Sequence, residues 1–146
     1  MLTFVVCWLS KALIMATIRN FEDLEIWQMA RKFSSSIFQL TLESKFSSEY
    51  KFKDQIKSSS GSVMDNIAEG FGRESRLEFI NFLGVAKGSL CESKSQLYRA
   101  LDYNLITNEL LDMYLNEVDI ILSKIAAFMI YLNRTSIKGQ KFKDRN

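Results

Sequence analysis

The sequence of 146 residues contains no proline, no histidine and only two cysteines. Proline disrupts helix interiors, so its absence is typical of a fold built from long, uninterrupted helices. Without histidine the chain can form neither a Ser-His-Asp triad nor the Glu-x-x-His metal ligands of ferritin-like bundles. Cys7 and Cys91 are too few for a zinc cage or a disulfide framework, although one bridge between them is compatible with the sequence. We expect a cytoplasmic protein without cofactor or metal.

Charge is distributed unevenly along a chain whose formal net charge is only +2. A balance this small does not by itself indicate a nucleic-acid partner. The tail after Leu132 has one acid, Asp144, and is otherwise basic, with Arg134, Lys138, Lys141, Lys143 and Arg145. Such a tail is most often a solvated terminus. The first turns of the last predicted helix are acidic, with Glu109, Asp112, Glu117 and Asp119.

The apolar stretch from Leu2 to Leu9 allows three interpretations. A secretory signal lacks support, because there is no basic residue before the stretch and no clean cleavage site, and the run is too short to span a membrane. A segment that packs on the protein is the second. We favour the third, in which Met15 is the natural start and residues 1–14 are an upstream extension. We therefore predict an extension (1–19), a helical domain (20–133) and a basic tail (134–146).

Apolar residues recur at helical spacing in four segments after Asn20, which we expect to cap the first of them. The first segment contains Ile26, Met29, Phe33, Ile37 and Leu40. The second contains Phe52, Ile56, Ser59, Val63 and Ile67. The third contains Phe79, Leu83, Ala86, Leu90, Ser93, Leu97 and Leu101. The fourth is a strict heptad with Leu111, Tyr114, Val118, Ile121, Ile125, Phe128 and Leu132.

Short connections separate these segments, which makes sequential helices antiparallel neighbours. The pattern predicts an all-α fold, an up-down-up-down antiparallel four-helix bundle. One stretch of the second segment, Ser58 to Ser62, is a poor helix former, and its Gly61 costs about 1 kcal/mol relative to alanine. Because the apolar rhythm continues on both sides, we expect close packing there rather than a bend.

The corner between the second and third segments has the clearest local signals. Gly70 and Gly72 are expected to supply positive φ at a tight turn. Ser75 and Glu78 then form the pattern of a capping box that restarts the helix. The two glycines are not a nucleotide-binding loop, because they follow a helix and no Gly-Lys-Ser/Thr sequence comes after them.

The third segment carries a second face, away from its apolar seam. Small residues repeat along it at Gly84, Gly88, Cys91 and Ser95. One interpretation is that they fit a neighbouring helix of the same bundle. The other is a subunit interface, where small side chains let a helix of another protomer approach.

Basic residues lie beside this face and on the neighbouring segment. The candidate phosphate contacts are Lys51, Lys53, Lys57, Arg73, Arg76, Lys87 and Lys94. Such residues are usually solvated flanking charges; the alternative is a surface that binds nucleic-acid phosphates without reading sequence. Glu69 and Glu92 are more plausible as ion-pair partners, for a residue such as Arg73, than as catalytic acids. We therefore predict that the chain is not an enzyme.

Several motifs resemble those of a known family, in the same order along the chain. They run from Phe21-Glu22-Asp23-Leu24-x-Ile26-Trp27-Gln28 and Gln55-Ile56-Lys57 to Asn66-Ile67-Ala68-Glu69-Gly70-x-Gly72-Arg73, and end in Gly88-Ser89-Leu90-x-Glu92. This sequence resembles the four-helix-bundle proteins encoded in intervening sequences of bacterial 23S rRNA genes. The accessory proteins of diversity-generating retroelements are similar. The resemblance covers about residues 20 to 132.

The resemblance implies a homo-oligomeric ring, with a pentamer as the expected state, and a basic surface that meets nucleic acid. In the retroelement relatives the partner is a reverse transcriptase, and no catalytic residues carry over. Lys57-Ser58 stands where the family usually has two arginines, and Met64 replaces its usual proline. The leading hypothesis is an oligomeric bundle that binds structured RNA or DNA without being an enzyme. The alternative is a structural adaptor for a protein such as a reverse transcriptase.

Overall fold

The computed structural model of the chain describes residues 18–134, which are helical and contain no strand. A 3-10 turn spans Phe21–Asp23, and five α-helices follow. They are α1 (Glu25–Leu40), α2 (Ser44–Ser47), α3 (Tyr50–Gly72), α4 (Arg76–Asp102) and α5 (Asn108–Arg134). The expectations for residues 1–14, and for the basic tail after Arg134, lie outside the described residues.

Four long helices form the predicted antiparallel bundle. Helix α3 packs along both α1 and α4, and α4 packs along α5. Contacts between α1 and α5 close the bundle, so α1 and α4 lie diagonally opposite. The one-turn helix α2 bridges the connection from α1 to α3. No helix within residues 18–134 is long and apolar enough to cross a membrane.

The apolar stripes of all four segments meet in one core, as their spacing predicts. Almost every predicted stripe residue is buried, including Ser59 and Ser93. Three stripe residues, Met29, Leu101 and Phe128, are partly buried and pack against the core from its edge. Burying about twenty large apolar side chains at roughly 1.5–3 kcal/mol each is the main favourable contribution to this fold.

The start of α1 differs from the prediction for Asn20. That residue begins the 3-10 turn, and α1 begins only after Leu24, whose backbone is extended. The physical reason is the Asp23 carboxylate, whose Oδ2 atom accepts the backbone N–H groups of Arg19 and Asn20, both at 3.0 Å. These bonds stabilise a separate turn, so the prediction that Asn20 caps the first long helix was wrong.

The serine-rich middle of α3 packs closely against α4, as predicted. The hydroxyls of Ser59 and Ser93 lie 2.8 Å apart, and Ser59 Oγ donates to Gln96 Oε1 at 2.6 Å. Gln96 Nε2 in turn donates to Glu92 Oε1 at 3.2 Å. Helix α3 continues without interruption through Gly61. A chain of hydrogen bonds therefore crosses the α3–α4 contact and satisfies the polar groups buried there.

The corner between α3 and α4 uses its glycines differently from the prediction. No described glycine has positive φ; the left-handed residue is Glu74, with φ of 56°. Gly70 is instead required by close approach, because a Cβ atom there would lie 2.5 Å from the Cβ of Phe82. Ser75 caps α4, its Oγ accepting the N–H of Glu78 at 3.4 Å, which is one of the two bonds of the predicted capping box. The reciprocal bond from the Ser75 N–H to the Glu78 carboxylate is not formed among the described residues.

The corner between α4 and α5 is a Schellman motif built on asparagine. Asn104 adopts φ of 57°, in the left-handed region that asparagine tolerates better than most residues. The Leu105 N–H donates to Ala100 O at 2.9 Å, and the Asn104 N–H donates to Leu101 O at 2.8 Å. These two bonds satisfy carbonyls at the end of α4 and turn the chain towards α5.

Candidate interaction surfaces

The predicted cations do not form one patch. Lys53 and Arg73 are twenty residues apart on one straight helix, which corresponds to about 30 Å. Lys51, Lys53 and Lys57 lie near the first end of α3, whereas Arg73 and Arg76 flank the corner at its other end. Lys87 and Lys94 lie on α4, and Lys94 faces α5 through Asp119.

Several of these cations are neutralised by nearby carboxylates. Lys57 pairs with Asp54 at 2.9 Å, and this contact lowers the pKa of that carboxyl. Lys94 pairs with Asp119 at 2.6 Å, and the hydrogen bond raises the pKa of the lysine.

Arg73 pairs with Glu69 at 2.6 Å, in agreement with the ion-pair role predicted for Glu69. Its guanidinium also lies 5.3 Å from the ring centre of Phe82. Arg76 Nη1 donates to the carbonyl of Leu132 at 3.2 Å, which ties the start of α4 to the end of α5. These residues therefore stabilise the corner end of the bundle.

The described bundle is slightly acidic as a whole. Residues 18–134 contain 14 lysines and arginines and 16 aspartates and glutamates, a formal net charge of −2. The positive charge of the complete chain thus comes from residues on either side of the bundle. Nucleic-acid binding by the bundle itself needs a local group of unpaired cations rather than a general positive field.

The small residues of α4 face solvent. Gly84, Gly88, Cys91 and Ser95 are all exposed, and Cys91 is a free thiol. A Cβ atom built at Gly84 or Gly88 would meet no other atom of residues 18–134 within 4 Å. The interpretation that these residues fit a neighbouring helix of the same bundle is therefore wrong. Leu77 and Val85, each 53% exposed, extend this outer face of α4 with apolar surface.

Helix α5 presents exposed apolar side chains as well. Met113 and Ile120 are 51% and 43% exposed, and their spacing of seven residues places them about 20° apart around the helix. Ile130 is 51% exposed one turn before the end of the helix. The outer face of α5 is thus apolar at intervals, beside the acidic residues near its start.

One polar arrangement was not predicted from the sequence: the environment of Arg99 on α4. Its Nη2 atom donates to Gln55 Oε1 on α3 at 2.9 Å, and its guanidinium carbon lies 4.3 Å from the ring centre of Phe52. Arg99 Nε is buried without a hydrogen-bond partner. Arg99 has no carboxylate within ion-pair distance among residues 18–134.

The same end of the α3–α4 groove carries Lys51 and Tyr103. Lys51 lies one turn before Gln55, and Tyr103 one turn after Arg99, so the four positions form two facing pairs on antiparallel helices. Tyr103 is 55% exposed, and its ring contacts Phe52 at a centroid distance of 5.8 Å. Lys51 is exposed and has no partner in the part of the chain that the structure describes.

No metal-binding arrangement is present in the described part of the chain. Residues 18–134 contain no group of three or more cysteine, aspartate or glutamate side chains that could hold a metal ion. Glu92, the second predicted carboxylate, accepts a hydrogen bond from Gln96 and is exposed. The candidate binding features of residues 18–134 are therefore the outer surfaces of the helices.

The geometry defines a helical bundle with extended outer faces, and comparison with known proteins agrees with this class. The chain belongs to the 23S rRNA-intervening sequence protein family, whose model matches residues 22–127. This confirms the resemblance seen in the sequence. No functionally curated protein matches the chain significantly.

A solved structure supports the fold independently. It is a protein of unknown function from the S23 ribosomal protein family of Bacteroides thetaiotaomicron, similar with a TM-score of 0.65 and 22% identity. The match covers 71% of this chain and 97% of that one. At this identity the similarity supports the bundle fold alone.

Proposed function

We propose that this chain is a non-enzymatic bundle that assembles with copies of itself and binds structured RNA or DNA through phosphates. The observation that carries the assembly is the outer face of α4. Gly84 and Gly88 each cost about 1 kcal/mol of helix stability relative to alanine. Nothing within residues 18–134 requires them, because a side chain at either position would meet no other described atom within 4 Å. A second copy of the chain that packs closely against α4 would account for both glycines, because a larger side chain would hold the two helices apart.

Assembly is tested by light scattering of the full chain at micromolar concentrations. The expected mass is a multiple of the 16.9 kDa protomer, and the resemblance favours a closed ring such as a pentamer. A ring buries the outer face of every copy, whereas an isolated protomer leaves it in water. A mass of one protomer at all these concentrations would contradict the proposal.

Nucleic-acid binding is the functional part of this proposal. The bundle has a net charge of −2, so the supporting cations are those without carboxylate partners, such as Lys51, together with the basic residues from Arg134 onwards. An assembly would present several copies of these cations to one phosphate backbone, and such multivalent binding raises the overall affinity above that of a single protomer.

Binding to structured RNA and to duplex DNA across a salt series tests this part. We expect affinity that falls steeply with salt, because phosphate contacts release counterions. Dissociation constants weaker than the ordinary non-specific range of about 10⁻⁴–10⁻⁶ M at moderate salt would contradict it.

A structural adaptor is the second candidate, and the outer face of α5 favours it. Met113, Ile120 and Ile130 leave apolar surface in solvent beside an acidic helix start. Such a face suits a basic protein partner with apolar anchors, and a reverse transcriptase is the partner that the resemblance suggests. Purification with associated nucleic acid but without any protein partner would argue against this candidate.

A further inference from the structure

We infer that Lys51, Gln55, Arg99 and Tyr103 form a binding site for one phosphate and the adjacent base in an unpaired segment of a structured nucleic acid, for which a single-stranded oligonucleotide is the simplest probe. The inference rests on the proposed nucleic-acid binding and states where on the bundle it occurs. It starts from Arg99, whose charge is half-buried and has no carboxylate among residues 18–134 to neutralise it. Buried charges in proteins are normally paired, so an unpaired one suggests that its partner comes from another molecule.

The guanidinium of Arg99 is held in a fixed orientation. Its guanidinium carbon lies over the ring of Phe52, 4.3 Å from the ring centre, and Gln55 Oε1 accepts from Nη2 at 2.9 Å. The other amino group, Nη1, has no partner among the described residues and remains accessible to solvent. A guanidinium fixed in this way binds an oxyanion with little further loss of side-chain entropy.

Neighbouring groups match the rest of a nucleotide. The same Gln55 amide that accepts from Nη2 carries an NH₂ donor, and Lys51 adds a positive charge one turn away on α3. Tyr103 offers a ring that is more than half exposed, on which a base can stack. A phosphate alone would use only the donors, whereas a nucleotide also uses the ring. This combination favours a nucleic-acid strand over a free phosphate.

The sharpest test supplies the missing carboxylate within the chain. Gln55→Glu preserves the shape of the side chain and its bond to Arg99, but neutralises the guanidinium. We expect binding of a labelled single-stranded oligoribonucleotide, measured by fluorescence anisotropy, to weaken about tenfold or more, as for the loss of a charged hydrogen bond. Thermal stability should not fall. Gln39→Glu is the matched control, since it adds the same charge to α1, diagonally opposite.

A second pair of variants removes the charge instead. Arg99→Gln should weaken binding by a similar factor and reduce the salt dependence by about 0.7 in log–log slope per lost phosphate contact. Arg31→Gln is its control, because Arg31 also lies over an aromatic ring, that of Trp27 at 5.7 Å, but on α1. Lys51→Gln, at an exposed position, keeps the test valid if Arg99→Gln fails to fold.

Two further probes distinguish a nucleotide from a bare anion. Tyr103→Leu should weaken binding of the normal strand but leave binding of an abasic strand unchanged. Inorganic phosphate at millimolar concentration should compete poorly with the strand. Equal effects of Tyr103→Leu on both strands would overturn the role of the base.

The possible failures are separable. Wild-type protein that binds no nucleic acid would overturn both this site and the proposed binding. Binding that persists in Gln55→Glu, Arg99→Gln and Lys51→Gln, as in their controls, would overturn this site alone. If Arg99→Gln binds normally but no longer assembles, the partner of Arg99 is a carboxylate of another copy, and the site is again refuted.

Discussion

At the scale of single residues, Gly70 is the position where backbone space matters most. A Cβ atom there would overlap Phe82 at 2.5 Å, in a contact that neither backbone can easily widen. We expect Gly70→Ala to lower the free energy of unfolding by about 1–3 kcal/mol, as for overpacking of a core. Urea denaturation measures this change. Gly72→Ala, where nothing lies within 4 Å, is the control and should be neutral or slightly stabilising.

Glu74 is the residue that adopts the left-handed conformation at the corner between α3 and α4. A side chain in the left-handed region costs about 1–2 kcal/mol, and glycine removes this cost while adding freedom to the unfolded chain. Glu74→Gly should therefore raise the free energy of unfolding by about 0.5 kcal/mol in the same denaturation experiment. A clear loss of stability would mean that the turn does not have this conformation.

The sequence could not separate these two roles at the corner. A glycine that permits positive φ and a glycine that permits close approach look identical in a sequence, and the nearest glycines were assigned to the turn. The contact that distinguishes them comes from Phe82, on the following helix. Arg99 was missed for a related reason: its neighbours Phe52 and Gln55 lie 47 and 44 residues earlier in the chain. No local sequence pattern around Arg99 indicates that it lacks a carboxylate partner in the folded bundle.

At the scale of elements, the contact between α3 and α4 depends on its buried hydrogen bonds. Ser59→Ala removes the hydroxyl that bonds both Ser93 and Gln96. The buried amide oxygen of Gln96 then loses its donor, so we expect a loss of about 1–3 kcal/mol in unfolding free energy. Ser60→Ala should cost less, because that buried hydroxyl bonds only the Lys57 carbonyl of its own helix.

The contact between α1 and α5 contains a titratable group. Burial raises the pKa of Glu117 on α5, and the charge of Lys32 on α1 partly opposes this rise. Tyr114, whose hydroxyl donates to Ser36 O at 3.3 Å, lies in the same contact, and burial and the charges of Glu117 and Glu43 raise its pKa.

A raised pKa means that the folded protein binds a proton more readily than the unfolded chain. The ionisation of Glu117 therefore lowers the free energy of unfolding as the pH rises from the ordinary pKa of the unfolded chain through the raised pKa of the folded protein. We expect Glu117→Gln to melt at a higher temperature than wild type at pH 7, but at a similar temperature below pH 4. A difference that is the same at both pH values would contradict a raised pKa.

The helices themselves were largely predictable, because each buries one stripe at a regular spacing. Leu111 to Leu132 follow a strict heptad, and Phe79 to Leu97 alternate by three and four residues, so burial could be read directly. The 3-10 turn before α1 could not be predicted from the sequence, because Asn20 and Asp23 also fit the N-cap and first turn of a longer helix. The sequence also could not show which cations lack an ion-pair partner, because some partners lie on other helices, as Asp119 on α5 does for Lys94 on α4.

At the scale of the whole molecule, the stability of the protomer and the assembly that we propose would favour different residues on α4. A core of four helices needs only the inner stripe of that helix, and alanine at Gly84 or Gly88 would strengthen it. Glycine at these two positions lowers the stability of the helix, but it leaves room for the close contact with another chain that we propose.

Light scattering of Gly88→Leu, combined with urea denaturation, tests this central claim most directly. The side chain meets no other described atom within 4 Å, so we expect the variant to remain folded and to unfold in one cooperative transition, with its midpoint lowered by no more than the stability that assembly adds to wild type. The assembly should dissociate, because a leucine separates the two approaching helices. Gly72→Leu, exposed and open at the end of α3, should leave the mass unchanged. A Gly88→Leu protein that keeps the assembled mass of wild type would contradict the account.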